Sequence, residues 1–119
     1  MRYYTVIRFD YKDKMVQLDS YSLKTGSDSP NGRHLKSWCI EGSQDGEKWD
    51  EIDHRENESS LRSSYKVSTF TNNKKKNEFY KFIRLCQTGP SWYNNNDSHN
   101  QFEISLIEFY GQLKTSNTQ

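Results

Sequence analysis

The chain has 119 residues, of which 31% are hydrophobic and 14% aromatic, and its formal net charge is +1 at neutral pH. That is enough for one domain and one core, built from few, large side chains. A charge so near zero removes the electrostatic footprint of a general nucleic-acid binder, no stretch approaches a membrane span, and no charged-then-apolar signal peptide opens the chain.

Taken in order, residues 3–9 read as a strand rich in β-branched and aromatic side chains, and 10–14 as a charged turn. Residues 16–25 form the next strand. Val16 and Leu18 share one face while Tyr21 and Leu23 fall on the opposite parity, so a β-bulge near Asp19-Ser20 is expected to turn all four inward. Residues 26–33 carry Gly, Ser, Asp, Pro and Asn and read as a loop. A hairpin follows. Trp38, Ile40 and Gly42 alternate with Ser37, Cys39 and Glu41, the mark of a half-buried strand. Asp45-Gly46 is the strongest short-range hairpin signal, and Trp49 and Ile52 lie inward on the second arm. Both tryptophans are assigned to the core.

Residues 54–63 are polar and connective, with one helical turn within 56–61. Residues 64–71 read as a strand with Tyr65 and Val67 inward. Residues 72–77 form a turn whose Lys74-Lys75-Lys76 run is read as solvated. Residues 78–86 are a strand with Ile83 and Leu85 in the core. Residues 87–100 are a long loop, and 101–110 the last strand, where Leu106-Ile107 suggests a second bulge. Residues 1–111 make one domain and 112–119 a frayed tail. Short strands between turn signals imply an all-β sandwich or barrel.

Three blocks resemble a known family. Ser37-Trp38-x-Ile40-Glu41-Gly42-Ser43-x-Asp45-Gly46-x-x-Trp49-x-x-Ile52-Asp53 looks like the signature hairpin of discoidin domains, also called F5/8 type C or galactose-binding-like domains. Phe82-Ile83-Arg84-Leu85-x-Gln87-Thr88-Gly89 resembles that family's penultimate strand, and Ile104 to Gly111 its closing strand. The resemblance covers Thr5 to Gly111 and implies a jelly-roll-like antiparallel β-sandwich. Two features depart from it: the family's usual N-terminal strand, with a loop of the binding end, has no counterpart, and no calcium loop is carried over. An uncompleted sheet edge favours self-association.

Chemistry is sparse. His34, His54 and His99 are dispersed and neither cysteine has a partner at zinc spacing, so no metal and no cofactor is expected. No Gly-x-Ser-x-Gly elbow and no phosphate loop exists, and Asp50, Glu51 and Asp53 read as surface charge, so no enzyme is expected. Cys39 and Cys86 are expected to stay reduced, in a cytoplasmic setting.

Strand parity sends residues 26–33, 54–63 and 87–100, the three longest connections, to one end of the sandwich, where recognition usually lives. Candidate ligand-binding residues there are Arg33, His34, Arg55, Asn57, Gln87, Trp92, Tyr93 and Asn94. Aromatic faces stack on sugar C–H faces while Arg, Asn and His meet hydroxyls. Each has a plainer alternative: Trp92 packing beneath its loop, His34 making a structural hydrogen bond, Arg55 pairing with Asp53 or Glu56. Arg84 is read as structural. The function expected is a non-catalytic module for a glycan or other polar ligand. The alternative is an intracellular protein-docking module, and a phospholipid-binding domain comes third.

Overall fold

The structure is a computed structural model and describes residues 5–26, 34–74, 77–92 and 103–115. Among the described residues seven strands form: β1 Thr5–Asp10, β2 Lys14–Thr25, β3 Trp38–Ser43, β4 Asp50–Arg55, β5 Val67–Thr71, β6 Phe82–Gln87 and β7 Ile104–Thr115, with a 3₁₀ turn at Ser59–Leu61. They make two sheets, β1-β6-β3-β4 and β5-β2-β7, in which every pairing is antiparallel. The chain is the all-β sandwich that its alternation implies. No helix among the described residues is long and apolar enough to cross a membrane.

The core lies between the sheets. β2 supplies Val16, Leu18, Tyr21 and Leu23 and the neighbouring β5 supplies Phe70, facing Trp38 and Ile40 of β3, Ile52 of β4, and Ile83 and Leu85 of β6. With few aliphatic residues available, aromatic rings set the geometry. Phe70 meets Trp38 edge-on at 5.2 Å between centroids and Tyr21 at 5.4 Å. Such pairs add about 0.5–1.5 kcal/mol beyond their buried area. The polar atoms of these rings are satisfied internally. Trp38 Nε1 donates to the Tyr21 hydroxyl at 2.8 Å, and that hydroxyl donates to the Asp53 carboxylate. Asp53 is fully buried and also accepts from Arg55 and from the Asn73 backbone N–H. Burial, then the adjacent Asp53 charge, push the Tyr21 hydroxyl far above its usual pKa.

Bulges let consecutive residues share one face. Leu18 pairs with Gly111 and Ser20 with Tyr110, leaving Asp19 as the extra residue, and Val16, Leu18, Tyr21 and Leu23 are all buried. In β4 the register shifts between Ile40–Asp53 and Glu41–Glu51, so Ile52 and Asp53 are both buried. The irregularity in β7 falls at Ser105, one step before the expected Leu106-Ile107, which pair regularly with Lys24 and Leu23. Gly46 takes a φ of +82° in the connection between β3 and β4. Ser43 Oγ accepts its N–H at 2.8 Å, and the Asp45 carboxylate accepts those of Glu47 and Lys48, which hold its pKa below the usual range.

Three further expectations are corrected. Trp49 is half-buried outside the core, because it precedes β4 and lies against the guanidinium groups of Arg84 (4.0 Å) and Arg8 (5.7 Å). Tyr65 and Val67 are exposed, because Tyr65 sits at φ +56° ahead of a strand that starts only at Val67, and Phe70 turns inward instead. The helical turn expected within 56–61 forms at Ser59–Leu61. Residues 112–115 are not frayed, since Gln112–Thr115 pair with Lys14–Gln17 of β2.

Candidate functional site

Three connections meet at one end of the sandwich. The Ser37 carbonyl accepts from Thr88 N–H at 3.0 Å, Ser37 Oγ from Asn57 N–H at 3.0 Å, and the Lys36 carbonyl from Glu58 N–H at 2.8 Å. The His34 carbonyl accepts from Trp92 N–H at 3.0 Å. The segment entering β3, the segment leaving β4 and the segment leaving β6 are thus tied to one another by their backbones.

Trp92 sits where they join. Its indole N–H donates to the Glu58 carbonyl at 3.1 Å. The Arg62 guanidinium lies 4.4 Å and the Lys36 ammonium 4.7 Å from its ring. The ring is half-buried. Cation–π contacts of this kind contribute about 0.5–1 kcal/mol each where solvent reaches them, so they hold the indole without sealing it in. Asn57, exposed at φ +52°, lies beside it on the same connection as Glu58.

The other candidates divide. His34 is buried, and among the described residues neither ring nitrogen meets a hydrogen-bond partner. Burial holds its pKa below the usual histidine value, against the opposing pull of the Glu103 charge. Gln87 is fully buried in β6, opposite Thr5 and Trp38. Arg55 is a strut: it donates to Asp53 from Nε (2.9 Å) and Nη2 (3.1 Å), donates to the Thr71 carbonyl at 2.6 Å, and lies over Phe70 at 5.1 Å. Arg33, Tyr93 and Asn94 lie outside the described residues.

Sequence reasoning passed over Lys36 and Arg62. Their signal was available, because both flank connections assigned to the same end as Trp92. A separate polar cleft of about 530 Å³ lies beside the Asp19 bulge, lined by Gln17, Asp19, Asn72, Asn77 and Gln112, and no aromatic ring lines it.

Compared with known proteins, no family model matches the sequence, and no curated protein sequence matches it. Solved structures do match. The C-terminal domain of a chitobiase from Bacteroides fragilis superposes with a TM-score of 0.63 at 18% identity, covering 92% of this chain and 64% of that one. The family 32 carbohydrate-binding module of Streptococcus pneumoniae EndoD gives 0.63 at 11% identity, covering 90% and 69%. A family 32 module from a family 31 glycoside hydrolase of Clostridium perfringens gives 0.59 at 16% identity, covering 90% and 66%. At these identities the likeness establishes the fold alone, a two-sheet antiparallel β-sandwich. The chain spans less than two-thirds of the chitobiase domain's length.

Proposed function

We propose that this domain is a non-catalytic recognition module that holds a glycan at the long-loop end, against Trp92. The observation that carries the reading is the setting of that indole: half-buried, its N–H engaged, its backbone fixed, and pinned where three connections meet. A rigid aromatic ring loses little entropy on binding a sugar face. Arg62, Lys36 and Asn57 supply hydroxyl partners around it. Two of the structurally similar chains are carbohydrate-binding modules by description, which supports the same reading. His34 and Gln87 then act from beneath, as supports, and Arg55 serves the core.

The test is a glycan array followed by calorimetry on the wild-type chain and on Trp92→Ala. The expected outcome is a bound glycan whose affinity falls at least tenfold in the variant, with the melting temperature lowered by only a few degrees. If Trp92→Ala costs about 3–5 kcal/mol, the cost of truncating a buried indole, the ring is a packing residue and the reading fails.

A second reading, protein docking, draws on the outer face of the β5-β2-β7 sheet. There Val67, Leu106 and Tyr110 are exposed, and Val67 and Leu106 flank Lys24 in register. Capture of a protein that Val67→Lys releases and Trp92→Ala retains supports it.

A further inference from the structure

We propose that Cys39, Glu41 and Cys86 form a binding site for a thiophilic metal ion of the Zn²⁺ class. Sequence spacing hides this trio, but strand register assembles it. β3 and β6 lie side by side with Cys39 opposite Cys86 and Glu41 opposite Arg84. Trp38 and Ile40 turn into the core, so Cys39 and Glu41, between and beyond them, face the other way; Leu85 likewise turns in and Cys86 out. Two independent alternations therefore deliver two thiols and a carboxylate to one spot on the outer face of the four-stranded sheet.

The donor atoms all lie within 4.8 Å of one another. A tetrahedral ion with Zn–S near 2.3 Å and Zn–O near 2.1 Å holds its ligands roughly 3.5–3.8 Å apart, so side-chain adjustments of about an ångström close the site. The backbone of two paired strands holds the geometry.

The chemistry of the surroundings fits. Two thiolates are the donors that select zinc, cadmium or cuprous copper over magnesium and calcium. Arg84 reaches Glu41 Oε1 from Nε and from Nη2, each at 2.7 Å, and so orients the carboxylate as an outer-shell partner does. The charges of a divalent ion, two thiolates, one carboxylate and one guanidinium cancel, so the loaded site is neutral, as a buried site requires. The Cys86 S–H points to Glu41 Oε1 at 3.7 Å, and a hydrogen bond with Cys86 together with burial pushes the Cys39 thiol up. Binding breaks two S–H bonds, forms two metal–sulfur bonds and one metal–oxygen bond, and releases two protons to solvent. The donors are buried, yet the partner sheet packs on the opposite face, so their cover among the described residues is side chains. Three protein ligands leave a fourth position for solvent, the arrangement of an open site.

The experiment titrates the full chain with Cd²⁺ in a phosphine reductant, following the ultraviolet thiolate-to-cadmium charge-transfer band and then competing with Zn²⁺. The expected result is one ion per chain, a band displaced by Zn²⁺, and a melting temperature raised by either ion. Cys39→Ser and Cys86→Ser should each weaken binding about 100-fold or more, and Glu41→Gln or Arg84→Gln about tenfold, the loss of a supporting group being typically 10–100-fold. Far-ultraviolet circular dichroism checks that each variant folds. Should a cysteine variant unfold, the comparison of native wild type with urea-unfolded wild type decides. No band, wild-type affinity retained in either cysteine variant, or wild-type affinity retained in the unfolded chain overturns the site.

Discussion

β3 and β7 carry the same antiparallel geometry to opposite ends. All six residues of β3 are buried, on both of its faces, whereas none of the twelve residues of β7 is buried. The first has a strand on either side, β6 and β4; the second, among the described residues, is paired on one edge, with β2. A strand bordered on both sides can keep charged and sulfur-bearing groups dry on its outer face, as it does with Cys39 and Glu41. A strand with one neighbour leans on its backbone ladder, and its Ile104, Ile107 and Phe109 pack against the core while staying partly exposed. Its far end, Gln112–Thr115, is therefore free to be polar, and that polarity hides this extension from a reading by hydrophobic pattern.

The largest expected effect tests the buried side of this contrast. Trp38→Ala removes a fully buried indole, its contact with Phe70 and its hydrogen bond to Tyr21. Urea unfolding should report a loss of about 3–5 kcal/mol. A loss below about 1 kcal/mol would mean that Phe70 and Tyr21 hold the core without it.

The second prediction looks for the exception on the exposed side. A Cβ at Gly111 would lie 2.0 Å from the Gln17 backbone oxygen, where the Asp19 bulge draws β2 and β7 together. Backbone cannot swing aside as a side chain can, so Gly111→Ala should cost about 1–3 kcal/mol, while the neighbouring Gln112→Ala stays within about 0.5 kcal/mol. Equal effects at the two positions would erase the distinction between backbone and side-chain demands in β7.

The smallest effect concerns the entry to β3. His34 is buried and its pKa is lowered in the folded state. The unfolded chain then takes up the proton first. The contribution is fully present above the ordinary value of about 6.5 and is lost as pH falls from there toward the folded value, by up to about 1.4 kcal/mol per pH unit. Stability between about pH 7 and pH 5.5 should decline, and His34→Gln should flatten that decline. The exposed Asp45 also has a lowered pKa, but from an ordinary value of 3.8, so it acts only at lower pH. An unchanged slope in His34→Gln would show that solvent reaches the ring.

Much of this architecture can be read from the residues alone. The parity break between Leu18 and Tyr21 announces the Asp19 bulge, and Asp45-Gly46 announces its turn, because both are local steric demands. What stays hidden is set by partners far along the chain. Trp49 alternates like a core residue yet lies outside the strand, stacked against arginines from β1 and β6. Tyr65 and Val67 look like inward residues, but the positive φ at Tyr65 delays the strand and leaves Phe70 as the inward ring. Gln112–Thr115 look like a tail and are paired through the backbone. At the long-loop end, Trp92 and its neighbours follow from parity. The burial of His34 and Gln87 does not, because it depends on how the connections stack over them. The two cysteines are separated by most of the core and meet only through register.

The pairing of β1 carries a consequence for how the chain assembles. Thr5 pairs with Gln87 and Asp10 with Phe82, so the most N-terminal described strand is completed by one made much later. Contacts this distant in sequence close slowly. During synthesis Ile7 and Phe9 emerge early and find their ladder only once β6 has left the ribosome. The β3–β4 hairpin can form in the meantime and offer β6 its other edge. β6 is thus the element that joins the β3–β4 hairpin to β1, and the four-stranded sheet cannot close before it is in place.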